Sequence, residues 1–242
     1  MVEALEVHTD FEAAFTDGAL FRDSDGAHLV SRVSRVGMLP FTTKALTVGD
    51  PTGLLQPERP PCGCVAEGSF PVDLAVVSFV DGDLTKLGHS WNAVARLLIS
   101  DKPVTSWVPA SHGAQVSSGW GCFLDAAEPT ALPAAIQRRL HGQAPRDGIA
   151  HGQRSTWDGR ALMTFSAGSG NGDYKGWWGI NASGKASAYC LDFELLLTDE
   201  TQDIPVPWPS GRGAVVAQHL EEASIEARVP WLSPNRLEVR HP

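Results

Sequence analysis

The sequence predicts an α+β fold that is predominantly β, with antiparallel sheets forming a sandwich or a partly open barrel and a few short helices. Three observations carry this expectation. The 242 residues include 17 prolines and 24 glycines, the punctuation that short strands joined by turns require. The strongest apolar segments, residues 70–80 (FPVDLAVVSFV) and 186–197 (ASAYCLDFELLL), have strand length and are bounded by turn residues. Only residues 131–141 combine helix start and stop chemistry, with Pro133 near the first turn, Arg138, Arg139 and His141 at the end, and Gly142 beyond.

Along the chain, residues 10–16 fit a short helix with Asp10 as N-cap. Residues 29–36 alternate loosely and read as extended, and residues 49–63 are rich in turn residues. In the strand at 70–80, Pro71 fits an edge position or a strand start. Residues 91–100 (WNAVARLLIS) are ambiguous in period and are read as a strand because their neighbours are strands. Residues 104–108 form another strand, and residues 143–160 a polar loop or insertion. Residues 161–166 lead as a strand into the glycine-rich stretch 168–179, from which residues 177–180 emerge. The turn at 181–184 then joins these to the strand at 186–197 as a hairpin. Residues 203–213 read as a Pro- and Gly-rich strap, and residues 215–229 as a helix or a pair of strands.

Composition narrows the function classes. A formal net charge of −9 disfavours nucleic acid and anionic membrane surfaces as partners and favours a basic one. No apolar run is long enough for a membrane-spanning helix. Residues 1–8 lack the basic and apolar regions of a secretory leader. A cytoplasmic location with reduced thiols is therefore expected for Cys62, Cys64, Cys122 and Cys190.

The densest chemistry lies at residues 168–179 (GSGNGDYKGWWG), with five glycines, Asp173, Tyr174, Trp177 and Trp178. Glycine lets a ligand approach the main chain, and Tyr and Trp offer flat faces with polar tips. Phosphate loops of similar composition need a following helix, whereas a strand follows here. Asp125, Asp173 and Asp192 fall at strand ends or in adjacent turns. Brought together, they would raise one another's pKa and support cation binding or acid–base chemistry; kept apart, each caps a turn. Tyr174, Trp178 and Ser169 are ligand-binding candidates. Arg96 is a candidate for an ion pair or for holding an anionic ligand. The histidines show no zinc spacing and Cys62-Gly63-Cys64 is one residue short of a zinc knuckle, so neither a metal nor a cofactor is expected.

Six segments occur in order: Gly49-Asp50-Pro51, Gly68-Ser69-Phe70-Pro71-Val72, Ala93-Val94-Ala95-Arg96, Gly121-Cys122-Phe123-Leu124-Asp125, Gly172-Asp173-Tyr174 with Trp178-Gly179, and Leu191-Asp192-Phe193. In these the chain resembles the bacterial family catalogued as domain of unknown function 4241. The resemblance implies a bacterial source and a β-rich α+β domain. It also implies a link to toxin and immunity systems, without a settled reaction. A single domain over residues 1–242 is expected, with a family-like core at about 45–200 and a less family-like extension at 203–242. Two functions follow. One is a ligand- or protein-binding module of immunity type, holding a small polar ligand or a basic protein through an acidic, aromatic site. The alternative is an enzyme acting on a small polar or cationic substrate, with Asp173, Asp192 and Asp125 as its carboxylates.

Overall fold

The computed structural model describes residues 9–22, 27–52, 62–80, 89–125, 135, 138, 150, 152–157 and 160–196. They belong to one compact unit that ends at Asp199. A single turn of helix, α1 (Phe11–Ala14), precedes the strands β1 (Leu20–Arg22), β2 (His28–Phe41), β3 (Ala45–Gly49), β4 (Gly63–Cys64), β5 (Gly68–Phe79) and β6 (Ser90–Leu98). Then come β7 (Val104–Pro109), β8 (Ala114–Val116), β9 (Trp120–Asp125), β10 (Gly152–Trp157), β11 (Arg160–Ser166), β12 (Gly172–Asn181) and β13 (Ala186–Asp192). The chain is predominantly β, as the sequence predicts.

The strands form two antiparallel sheets, the larger curled like half a barrel. The larger sheet runs β1-β2-β5-β6-β13-β12-β7, with β8 also paired to β12. The smaller runs β10-β11-β9-β3-β4. Between them lies an apolar core that includes Leu39, Leu74, Leu97, Tyr189 and Leu191 from the first sheet and Val48, Phe123, Met163 and Phe165 from the second. The Phe123 and Tyr189 rings meet edge to face across it at 5.8 Å. Asn92 on β6 adds a polar tie, donating from Nδ2 to both the carbonyl and the Oγ of Ser166 on β11 at 2.9 Å.

The other face of the larger sheet carries a second apolar cluster, with Ala75, Val77, Val94, Trp177 and Cys190 beneath Phe11 and Ala14 of α1. Asp10 caps that helix by accepting from the Ala13 N–H at 3.0 Å, as its position predicts. Strands β5, β6 and β13 are thus covered on both faces. This explains why residues 93–97 and 187–192 are buried almost without interruption and show no clean alternation.

The glycines of β12 permit close packing. A Cβ on Gly176 would lie 2.1 Å from the Tyr189 hydroxyl and 2.8 Å from the His112 carbonyl. Tyr189 uses this gap to donate to the His112 carbonyl at 3.2 Å. On β5, Pro71 lies opposite Met38 of β2, before pairing with β6 begins at Val72. It therefore occupies a local edge, where its missing N–H costs no ladder bond.

Part of the expected loop at 143–160 is instead strand: β10 pairs with β11 from Gly152 to Trp157. Its polar sequence, GQRSTW, carries little strand signal of its own, and pairing with β11 imposes the conformation. Of the helix expected at 131–141, only Ala135 and Arg138 are described, both helical. The turn at Asp81-Gly82-Asp83 and everything expected after residue 196 lie outside the described residues. No helix among the described residues is long and apolar enough to cross a membrane.

Candidate functional site

The glycine-rich loop joins β11 to β12. Gly168 and Gly170 adopt φ of +46° and +122°, a region that suits glycine, and the Gly170 N–H closes a turn on the Ala167 carbonyl at 2.6 Å. Tyr174, two residues into β12, braces this loop from inside. Its hydroxyl is 2.9 Å from the Gly170 carbonyl and 3.3 Å from that of Ala167, and its ring packs edge to face on Phe193 at 5.0 Å. Burial pushes the Tyr174 hydroxyl above its usual pKa, against a hydrogen bond with Ser169. Ser169 and Asp173 are exposed on the solvent side of the same loop, and Asp173 lies opposite the exposed Gln115 of β8. Trp178 is half-buried, edge to face with Tyr189 at 4.9 Å. It reaches over Gly63 so closely that a Cβ there would sit 2.6 Å from the indole.

The other carboxylates serve the fold. Asp192 is buried at the end of β13, and accepts from the backbone N–H of Glu194 at 2.9 Å and of Thr9 at 3.3 Å. Burial pushes its carboxyl above the usual range despite these bonds. Asp125 ends β9 in the smaller sheet. It accepts backbone and hydroxyl bonds from Thr42 and Thr43, at 2.6–2.9 Å and 2.5–3.0 Å at their shortest. Burial opposes ionisation of Asp125, but these donors outweigh it and hold the carboxyl below its usual range. The structure therefore brings Ser169, Asp173 and Tyr174 into one unit. It puts Asp192 two strand positions from Asp173, opposite Lys175 on the same sheet, and keeps Asp125 on the other sheet. No three His, Cys, Asp or Glu residues among the described residues gather closely enough to hold a metal ion.

Arg96 pairs with a carboxylate outside the three. On the face beneath α1, a lateral row crosses the sheet as Arg35–Asp73–Arg96–Cys190–Trp177. Asp73 is buried and accepts from Arg35 Nε at 2.6 Å and Nη2 at 3.1 Å. Arg96 Nη2 approaches the same carboxylate at 3.5 Å, and its guanidinium lies 3.6 Å from the Phe15 ring centroid, a cation–π geometry. Burial pushes the Cys190 thiol well above its usual pKa, so it is an inert core group.

Two residues that sequence reasoning missed organise this architecture. One is Asp73, whose signal is a charge inside an otherwise apolar strand. The other is Asp50, buried after β3. Thr52, Ser117 and Ser118 each donate a backbone N–H and a hydroxyl to Asp50 at 2.7–3.0 Å. Those donors overcome the opposing effect of burial and lower its pKa.

The family model described as "Protein of unknown function (DUF4241)" matches residues 39–190, more than half of the chain. The chain belongs to this family. The DUF4241 match begins within β2 and ends within β13, so it contains Asp50, Asp73, Arg96, Asp125, Ser169, Asp173, Tyr174 and Trp178. It stops two residues short of Asp192 and does not include α1. No curated protein and no solved structure matches the chain.

Proposed function

We propose that this DUF4241 protein is a bacterial, cytoplasmic binding module of immunity type, which holds a small polar ligand or a basic protein partner at the loop of residues 168–173. The observation that carries this reading is the exposed Asp173, beside exposed Ser169 and Gln115, on a loop that Tyr174 holds from within. Such a loop presents a carboxylate and hydrogen-bonding groups from a rigid support, and the net charge of −9 favours a cationic partner. Asp50 and Asp125 support the reading indirectly, because their oxygens already accept several bonds from their own chain. Calorimetric titration with the product of the neighbouring gene tests it. Wild type should bind, and Asp173→Asn should bind at least about tenfold more weakly, or roughly 1.4 kcal/mol, with an unchanged melting temperature. Equal affinity of the two proteins, or a lowered melting temperature for the variant, counts against the site.

The enzyme reading rests on a different observation, the upward shift of Asp192 by burial, which is how a carboxyl group becomes a general acid near neutral pH. It requires Asp192→Asn to abolish turnover of a small polar or cationic substrate without loss of the fold.

A further inference from the structure

The loop of residues 168–173 is rich in glycine, and a segment of that composition samples many backbone conformations unless its ends are fixed. Both ends of this loop meet the same short stretch of chain, residues 116–119. At its start, the Ala167 N–H donates to the Gly119 carbonyl at 2.9 Å. Ala167 is also the base of the loop, because its carbonyl accepts from the Gly170 N–H at 2.6 Å and from the Tyr174 hydroxyl at 3.3 Å. At its end, Gly172 pairs with Val116 and Asp173 with Gln115 of β8. Residues 116–119 thus clamp the loop from both sides.

The ladder of β8 is a weak anchor for such a clamp. The strand has three residues and, among the described strands, pairs with β12 alone. Ala114 and Val116 are seated in the core beside Tyr174, but Ser117, Ser118 and Gly119 lie between β8 and β9 and outside both. Asp50 fixes them. Ser117 and Ser118 each donate a backbone N–H and a hydroxyl to its carboxylate at 2.8–3.0 Å. The Ser118 hydroxyl oxygen also accepts from the Trp120 N–H at 3.3 Å, which carries the tie to the start of β9. Thr52 holds the carboxylate in place with two further bonds at 2.7 Å. Hydrogen bonds to an ionised group are the stronger kind.

We propose that Asp50 is the positioning residue of the site at 168–173. Its carboxylate holds Ser117 and Ser118, whose neighbours Val116 and Gly119 hold the two ends of the loop, so Ser169 and Asp173 are presented in one arrangement. Asp50 follows β3 of the smaller sheet, while Asp173 lies on β12 of the larger. One buried carboxylate therefore ties the site to both sheets.

The effect on affinity rests on the binding reading proposed above, whereas the clamp stands without it. A loop already held in its bound arrangement costs less to order when a partner arrives. Loss of Asp50 therefore weakens binding although Asp50 touches no partner. A carboxylate that only stabilises the fold behaves differently. Asp125, bonded by Thr42 and Thr43, has the same kind of donors but no bond to residues 116–119, so its loss lowers global stability and leaves the loop as it is.

The test is hydrogen exchange of the folded full chain, read at the amides of residues 114–119 and 167–174, beside titration with the product of the neighbouring gene. Asp50→Asn should speed exchange at these amides at least about tenfold, and Asp125→Asn should leave them at the wild-type rate. Ser117→Ala combined with Ser118→Ala, which keeps the carboxylate and both N–H donors, should give a smaller change at the same amides. In the titration, Asp50→Asn should bind about tenfold more weakly. Combined with Asp173→Asn it should lose less than the product of the two single losses, because Asp50 acts through the placement of Asp173. Wild-type exchange in Asp50→Asn overturns the proposal, whether or not the wild type binds. So does equal acceleration in Asp125→Asn, or fully independent losses in the double variant. Faster exchange in Asp50→Asn with no binding by the wild type upholds the clamp and removes the binding reading alone.

Discussion

Burial alone would push the carboxyl groups of Asp50, Asp125 and Asp192 upward, and what separates them is the number of donors each meets. Asp50 and Asp125 each accept several backbone and hydroxyl bonds and titrate below the usual range, whereas Asp192 accepts fewer and titrates above it. The signs of their pH dependence are therefore opposite. Asp50 and Asp125 contribute stability above the unfolded value, near pH 4, and lose it as pH falls through their lowered folded values. Asp192 contributes most when protonated, below the unfolded value, and that contribution is lost as pH rises through its raised folded value. Urea unfolding over a pH series should show this. Asp50→Asn should cost about 2 kcal/mol at pH 7, with the gap to wild type narrowing in acid. Asp192→Asn should gain on wild type as pH rises from 4 towards neutrality, and a flat difference would mean that Asp192 titrates normally. Only the turn with Thr52 was legible at Gly49-Asp50-Pro51, because the other donors, Ser117 and Ser118, are distant in sequence. Nothing local announces them.

At the scale of elements, the row Arg35–Asp73–Arg96 couples β2, β5 and β6 on the face that α1 covers. Its members are unequal, since the Arg35 side chain is 57% exposed and that of Asp73 only 2%. Removing Asp73 leaves two guanidinium groups side by side without their shared partner, so Asp73→Ala should cost roughly 3 kcal/mol. Arg35→Ala should cost no more than about 1 kcal/mol, because solvent screens that side chain and Arg96 still approaches the carboxylate. Chemical denaturation of the two variants checks the order, and equal losses would place the energy elsewhere. The strands themselves were readable where turn residues bracket an apolar run, as in β5 and β13, while β6 was ambiguous in period and readable only from its neighbours. They were unreadable where pairing imposes the structure, as in β10. The alternation of Trp177 and Trp178 was also readable, but not their surroundings: α1 covers one face and the second sheet lies against the other, so neither indole stands fully in solvent.

For the whole molecule, composition and turn spacing revealed an antiparallel β fold, and the glycine-rich loop revealed one exposed acidic position. Strand order was hidden, because it depends on contacts that no local pattern encodes. Its least local feature is β13, the last strand among the described residues, which lies between β6 and β12 near the middle of the larger sheet. Its neighbour β6 is complete some ninety residues earlier, and the pairing of Thr9 with Asp192 and Leu196 spans nearly the whole described chain. Such non-local pairing slows folding. Amides of β6 and β13 should gain protection in the same late kinetic phase, a result that pulsed hydrogen exchange during refolding can read; early protection of β6 alone would argue otherwise. During synthesis, the bonding edge of β6 must wait until residues 186–192 have left the ribosome. Over that interval the nascent protein carries an apolar strand paired with β5 on one side and open on the other, and it is then, rather than in the finished fold, that it most needs a chaperone.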